Sequence, residues 1–191
     1  MRAVRDKVDI SKAQNLLKDG LFFKRKIPDK VELLYLGFHL FKVTVDPGNS
    51  AVKSEHVLID VLTGAFSFLN SENILPFSDE TQNYHSIKID KDDAKEIAKR
   101  EYAFHLLHRN LRTKLKAEVR SVEFEETILY PFWVGYFIHF HHYSLEVIDA
   151  INGQKQSGAI KKALIQYLAD EFNSKTESMR KQPDIALSLN R

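Results

Sequence analysis

The feature that most restricts the fold of this chain is an internal repeat. Tyr35-Leu36-Gly37-Phe38-His39-Leu40-Phe41 is followed, after an insertion, by Val57-Leu58-Ile59-Asp60-Val61-Leu62-Thr63-Gly64. Later come Trp133-Val134-Gly135-Tyr136-Phe137-Ile138-His139-Phe140 and then Glu146-Val147-Ile148-Asp149-Ala150-Ile151-Asn152-Gly153. Each copy joins an aromatic-x-Gly-aromatic strand to an Ile-Asp-x-x-(Thr/Asn)-Gly strand end. Such a unit cannot bury its apolar face alone, so the copies are expected to pack as one body.

A helix is predicted ahead of each copy. Asp9 can cap one whose Ile10, Ala13, Leu17 and Leu21 fall at helical spacing. Asp90-Lys91-Asp92-Asp93 opens the other with acids in the first turn, where the helix dipole favours them. In this second helix Ile97, Phe104, Leu107, His108, Leu111 and Leu115 form a stripe expected to lie on a sheet, with His108 partly buried. Val119 to Glu126 alternates as a half-buried strand, and Asp46-Pro47-Gly48-Asn49 and His141-His142 read as hairpin turns. Lys24 to Asp29 reads as a loop, Asn70 to Asn83 as the connector between copies, and Ser157 to Phe172 as a third helix. The fold class is therefore α+β: a tandem duplication of a helix plus antiparallel-sheet unit, closed by a C-terminal helix. The copies span residues 1–75 and 84–174, and residues 175–191 form a tail without periodicity.

These residues resemble the PepSY-like family, modules in which a helix opening with acids and Ala packs on antiparallel strands. Glu146-Val147-Ile148-Asp149-Ala150-Ile151-Asn152-Gly153 is similar to that family's aliphatic-x-Val-Asp-Ala-x-Thr-Gly strand end, with Asn for Thr; the first copy keeps Asp60, Thr63 and Gly64 but has Val61 for Ala. The resemblance implies a binding or regulatory module without catalytic residues and does not say which partner it binds; a protein or peptide partner is expected. Members are often secreted or membrane-attached. Here the charged start, MRAVRDKVDISK, has no apolar stretch behind it, so a cytoplasmic location without membrane insertion is expected.

Composition removes further classes. The chain is 43% hydrophobic and 28% charged, which excludes disorder as its main state. It has no cysteine, hence no disulfide, thiolate metal site or thiol nucleophile. No Gly-x-Gly-x-x-Gly, Walker loop, Gly-x-Ser-x-Gly or His-Glu-x-x-His occurs, and no cofactor is expected. A net charge of +2 does not call for nucleic acid, although residues 1–30 carry nine bases against four acids and residues 46–90 seven acids against two bases.

Three constellations could carry chemistry. His139 and His141 lie two apart on a strand and so share a face, and with Glu146 they could hold a metal, as in the first motif of the cupins; the later Pro-x-Gly and third His of those proteins are missing. Solvated hairpin histidines are the competing explanation. Arg109, Arg112 and Lys116 follow helical spacing and could bind phosphates or nucleic acid, or form a solvated face. Tyr130 to Phe137 places five aromatics in eight residues, so Trp133 and Tyr136 could line a ligand groove, with core the default role. The leading expectation is a non-enzymatic binding module; the alternatives are a metal-binding protein or metal-dependent enzyme, and a nucleic-acid binder.

Overall fold

The structure, a computed structural model, describes residues 2–18, 26–48, 51–69, 77–78, 87–114, 116–139, 142–156 and 158–180. In chain order the elements are β1 (Arg2–Val4), α1 (Ile10–Leu17), β2 (Lys30–Asp46), β3 (Lys53–Asp60), β4 (Phe66–Leu69), β5 (Phe77–Ser78), α2 (Lys91–Thr113), β6 (Glu118–His139), β7 (His142–Asp149) and α3 (Gly158–Arg180). The strands form one seven-stranded sheet in the order β4-β3-β2-β6-β1-β5, with β7 also paired to β6. The α+β class and the C-terminal helix follow the sequence reading.

Two long antiparallel strands, β2 and β6, make the spine. Their alternation buries both faces. Phe41, Val43 and Val45 of β2 point to one face and Leu34, Leu36, Phe38 and Leu40 to the other. On the first face α1 and α2 cover opposite ends of the sheet, and on the second α3 packs Ile160, Ala163, Leu164 and Tyr167 against the strands. The register shifts at Leu40/Phe41 and Thr44/Val45, so β6 accommodates extra residues there. Pro131, which has no N–H to give, sits where β6 passes from β1 to β7 as its outer neighbour.

Each helix covers the hairpin of the other half. α1 precedes β2 in the chain, yet its Ala13 and Leu17 pack with Trp133, Ile148 and Ala150 of β6, β7 and the turn that follows. α2 precedes β6, yet its Ala94, Ala98, Tyr102 and Leu106 share a core with Phe41, Val43, Val57 and Ile59 of β2 and β3 as well as with Val122 of β6. The helix entries are bonded alike. The carbonyl of Ala150 accepts from the N–H groups of Lys7 and Val8, both at 2.9 Å, and the carbonyl of Val61 accepts from Lys88 and Ile89, both at 3.0 Å. The hairpin ends recur as well: Val61 donates to Gly37 O at 3.1 Å and Ala150 to Pro131 O at 3.2 Å. Phe38 stands opposite Asp60, and Phe132 opposite Asp149.

By these bonds Phe38 holds the place in its hairpin that Phe132 holds in the other, and Gly37 that of Pro131, whereas the sequence pattern pairs Phe38 with Tyr136 and Gly37 with Gly135. The slip is an even number of residues, so it keeps the same side chains on the same faces, which is why the pattern alone did not expose it. Gly135 serves a separate need, since a Cβ there would lie 3.2 Å from Pro28 and 3.3 Å from Leu17.

The stripe assigned to α2 is also corrected. Phe104, Leu107 and Leu111 are 59%, 54% and 72% exposed, and His108 is exposed with its ring edge-on to Phe104 at 4.4 Å. The small side chains of Ala94 and Ala98 let the helix approach the sheet closely, and that side becomes the buried one. Both caps form as expected: Asp9 accepts from Lys12 N at 2.9 Å, and Asp90 from Asp92 N at 2.8 Å and Asp93 N at 2.9 Å. The turn at Asp46 forms with Gly48 at φ +75°. α3 continues to Arg180, past the expected end of the second copy at residue 174. α1 ends at Leu17, and Leu21, Asn49, Leu115, His141 and most of the 70–83 connector lie outside the described residues.

Candidate functional site

The two Ile-Asp-x-x-(Thr/Asn)-Gly ends fold into matching turns around buried carboxylates. Asp60 is fully buried; its Oδ1 accepts from Leu62 N (3.1 Å), Thr63 N (2.6 Å) and Thr63 Oγ1 (2.8 Å). Asp149 does the same with Ile151 N (2.7 Å) and Asn152 N (3.2 Å). Gly64 and Gly153 close the turns at φ +70° and +75°, where a side chain is strained. A Cβ on Gly64 would meet Ile89 and Ile97, each at 3.0 Å; one on Gly153 would meet Leu16 at 3.0 Å and Val8 at 3.8 Å. The turns therefore seat the residues that lead into the exchanged helices.

The second carboxylate oxygens differ. Oδ2 of Asp149 accepts from Tyr130 Oη at 2.9 Å and Asn152 Nδ2 at 3.0 Å. Oδ2 of Asp60 is buried with no hydrogen-bond partner among the described residues. Burial raises the pKa of both acids above the ordinary carboxylate range, with the turn bonds acting in the opposite sense. Burial first, and then the neighbouring Asp149 charge, push the Tyr130 phenol well above its ordinary value, so it stays a donor at neutral pH.

Beside Asp149 the α3 face of the sheet opens into a cleft of about 270 Å³. Its floor is the ring cluster of Phe38, Tyr130 and Phe132, with centroids 5.3 to 6.1 Å apart. Its rim carries Ser67, Asn152, Gln154 and Gln156, and Ile160 at the start of α3 forms a wall. The lining thus combines apolar surface with neutral hydrogen-bonding groups and one carboxylate already engaged by four donors.

The residues singled out from the sequence are not gathered into one site. Trp133 and Tyr136 lie on opposite faces of β6. Trp133 is covered by α1 and donates from Nε1 to Val8 O at 2.7 Å, whereas the Tyr136 hydroxyl donates to Glu32 and the Lys30 ammonium sits 5.4 Å from its ring centroid. Glu146 accepts from Lys161 Nζ at 2.8 Å and lies 3.9 Å from Lys155 Nζ. His139 closes β6 opposite His142, and its side chain, like all of His141, lies outside the described residues. Among the described residues no cluster of three metal-ligating side chains occurs. Arg109 lies on α2 and is 3.8 Å from Glu55, which also accepts from Tyr102 Oη at 2.7 Å. Arg112 is in the last turn, but Lys116 lies beyond the helix, because the chain turns at Lys114 with φ 56°. The three bases therefore do not form one helical stripe.

Sequence reasoning missed His39. It is 3% exposed on β2, with Nε2 2.9 Å from Ile89 O and Nδ1 2.8 Å from Thr127 Oγ1. A carbonyl can only accept, so Nε2 carries the proton. This bond answers the one from Trp133 to Val8: in each half a ring N–H holds the carbonyl just before the helix. No family model, curated protein or solved structure matches this chain. No helix among the described residues is long and apolar enough to cross a membrane.

Proposed function

We propose that this chain is a tandem pair of divergent PepSY-like units acting as a non-enzymatic binding module, with the cleft over Phe38, Tyr130 and Phe132 as its recognition site. The observation that carries this reading is the chemistry of the lining. Three rings packed edge-on or tilted against one another beneath a rim of Ser67, Asn152, Gln154 and Gln156 supply apolar contact and neutral hydrogen bonds, the combination that orients a bound group without moving protons. The carboxylate at its edge is occupied by its own turn and by Tyr130, which suits a positioning role better than an acid–base one. The matching bonds in the two halves support descent from one duplicated unit.

The reading is tested by following the side-chain amide signals of Asn152, Gln154 and Gln156 in NMR spectra while short peptides and small aromatic amides are titrated in. Shifts confined to these groups, and abolished in Phe132→Ala, are expected. Turnover of a substrate that is lost on changing Asp149 or Tyr130 would overturn the reading.

A further inference from the structure

The outer side of α2 carries a second surface, separate from the cleft and on the opposite face of the sheet. Phe104, Leu107 and Leu111 follow one another at helical spacing and are each more than half exposed. The helix is already seated by its other side, through Ala94, Ala98, Tyr102 and Leu106. The exposed stripe is thus surplus to folding, and solvent-facing apolar residues aligned on one helix commonly mark an interaction surface.

Next to the stripe lies a groove of about 280 Å³, lined by Leu106 and Leu107 of α2, by Ala117 just before β6, and by Glu118 and Val119 at the start of β6. It is held open by a two-point clamp: Asn110 donates from Nδ2 to Ala117 O at 2.9 Å and accepts from Ala117 N at 3.2 Å. A groove fixed in this way needs little ordering when something enters it.

Charge identifies the occupant. Around the groove Arg112, Lys114 and Lys116 outnumber the one acid of its lining, Glu118, and Arg109 is already 3.8 Å from Glu55. Arg112, Lys114 and Lys116 are exposed, and none is in an ion pair among the described residues. A second copy meeting this face through a two-fold axis would set these cations against each other. A nucleic acid would press phosphates onto Leu107 and Leu111, and a lipid surface has no use for a concave slot. We propose that this face docks an acidic amphipathic peptide segment of a partner protein, with an apolar side chain in the groove and carboxylates against Arg112, Lys114 and Lys116.

The test uses the full chain as bait for a displayed library of random 16-residue peptides. Enriched peptides are expected to combine Asp or Glu with Leu, Ile, Phe or Trp at helical spacing. Synthetic versions should bind at least tenfold more weakly to a Leu107→Ser, Leu111→Ser double variant and to an Arg112→Glu, Lys116→Glu variant, and more weakly as salt rises. The substituted side chains are exposed, so both variants should keep the thermal unfolding midpoint of the parent. Selected peptides without the acidic-apolar pattern, or equal binding to the variants, would defeat the proposal. So would the absence of any enriched peptide, or binding confined to phosphatidylserine vesicles or to single-stranded DNA tested in parallel. Because the cleft lies on the other face, the exposed α2 substitutions should leave the shifts of the Asn152, Gln154 and Gln156 amides unchanged, so loss of cleft binding and loss of α2 binding can be told apart.

Discussion

Leu36 and Tyr130 stand directly opposite each other where β2 crosses β6, at the centre of the correspondence between the halves. Two residues to one side Phe38 faces Ile128, and two residues to the other Phe132 faces Leu34, so the positions interchange about this pair. The residue at that centre differs in one respect that matters. Tyr130 has a hydroxyl and gives it to Asp149; Leu36 has none to give to Asp60.

Removing that hydroxyl should be costly. Tyr130→Phe leaves the ring packing intact and takes one of two donors from a buried carboxylate oxygen, which is expected to lower stability by about 1.5–3 kcal/mol. Urea unfolding at neutral pH measures it. A loss below about 0.5 kcal/mol would mean that water replaces the hydroxyl in the cleft.

The same substitution should act differently in the two turns. In Asp60→Asn the amide oxygen keeps the turn bonds and the NH2 takes the place of an oxygen that has no partner, so stability at pH 7 should hold or rise. In Asp149→Asn an NH2 must face Asn152 Nδ2 or the turn N–H groups, and a loss of about 1–2 kcal/mol is expected. The pH dependence follows from the raised pKa of Asp60. Between its unfolded and folded values the native state holds more protons than the unfolded chain, so the stability it contributes is full below the unfolded value and declines as pH rises through the folded one. Asp60→Asn should therefore gain on the parent as pH is raised from about 4 towards neutrality. Parallel pH curves for parent and variant would contradict this account.

The ring N–H groups that hold the helix entries can be removed singly. Trp133→Phe leaves Val8 O without its donor and should cost about 1–3 kcal/mol. His39→Phe removes the partners of both Ile89 O and Thr127 Oγ1 and should cost more. Amide hydrogen exchange separates the two, with faster exchange expected first in α1 for the Trp133 variant and in α2 for the His39 variant.

Cutting the chain between Leu69 and Ile87 gives two fragments, each of which keeps a helix without the hairpin it covers. Neither is expected to show a cooperative unfolding transition alone, and an equimolar mixture should recover one. A first fragment that folds by itself would show that α1 can turn back onto β2 and β3.

Local features were readable in the sequence where one residue does a local job. Asp9 and Asp90 announce their helices because a cap needs only the next three residues, and Gly64 and Gly153 announce turns because the left-handed backbone requires them. The face of α2 was misread because hydropathy favours Phe104 and Leu111, whereas close packing favours Ala94 and Ala98. The exchange of helices could not be read, since nothing near Ala13 or Ala94 says which of two similar hairpins it will meet. Of the candidate site, Asp60, Asp149 and the aromatic run were visible, but the bond from Tyr130 to Asp149 joins residues 19 apart and appears only after β6 and β7 pair. His39 gave no signal, because a single histidine in an apolar strand shows no partner until Ile89 and Thr127 are brought to it.

The helix exchange also sets an order of events for the chain as it is made. α1 leaves the ribosome well before its seat, which includes Trp133, Ile148 and Ala150, more than a hundred residues later in the chain. At translation speeds of about 5–20 residues per second, Ala13 and Leu17 wait on the order of ten seconds for their partner surface. Native assembly is therefore a late, long-range step, slow by the measure of sequence separation, and the apolar side of α1 lacks its seat until β7 is complete.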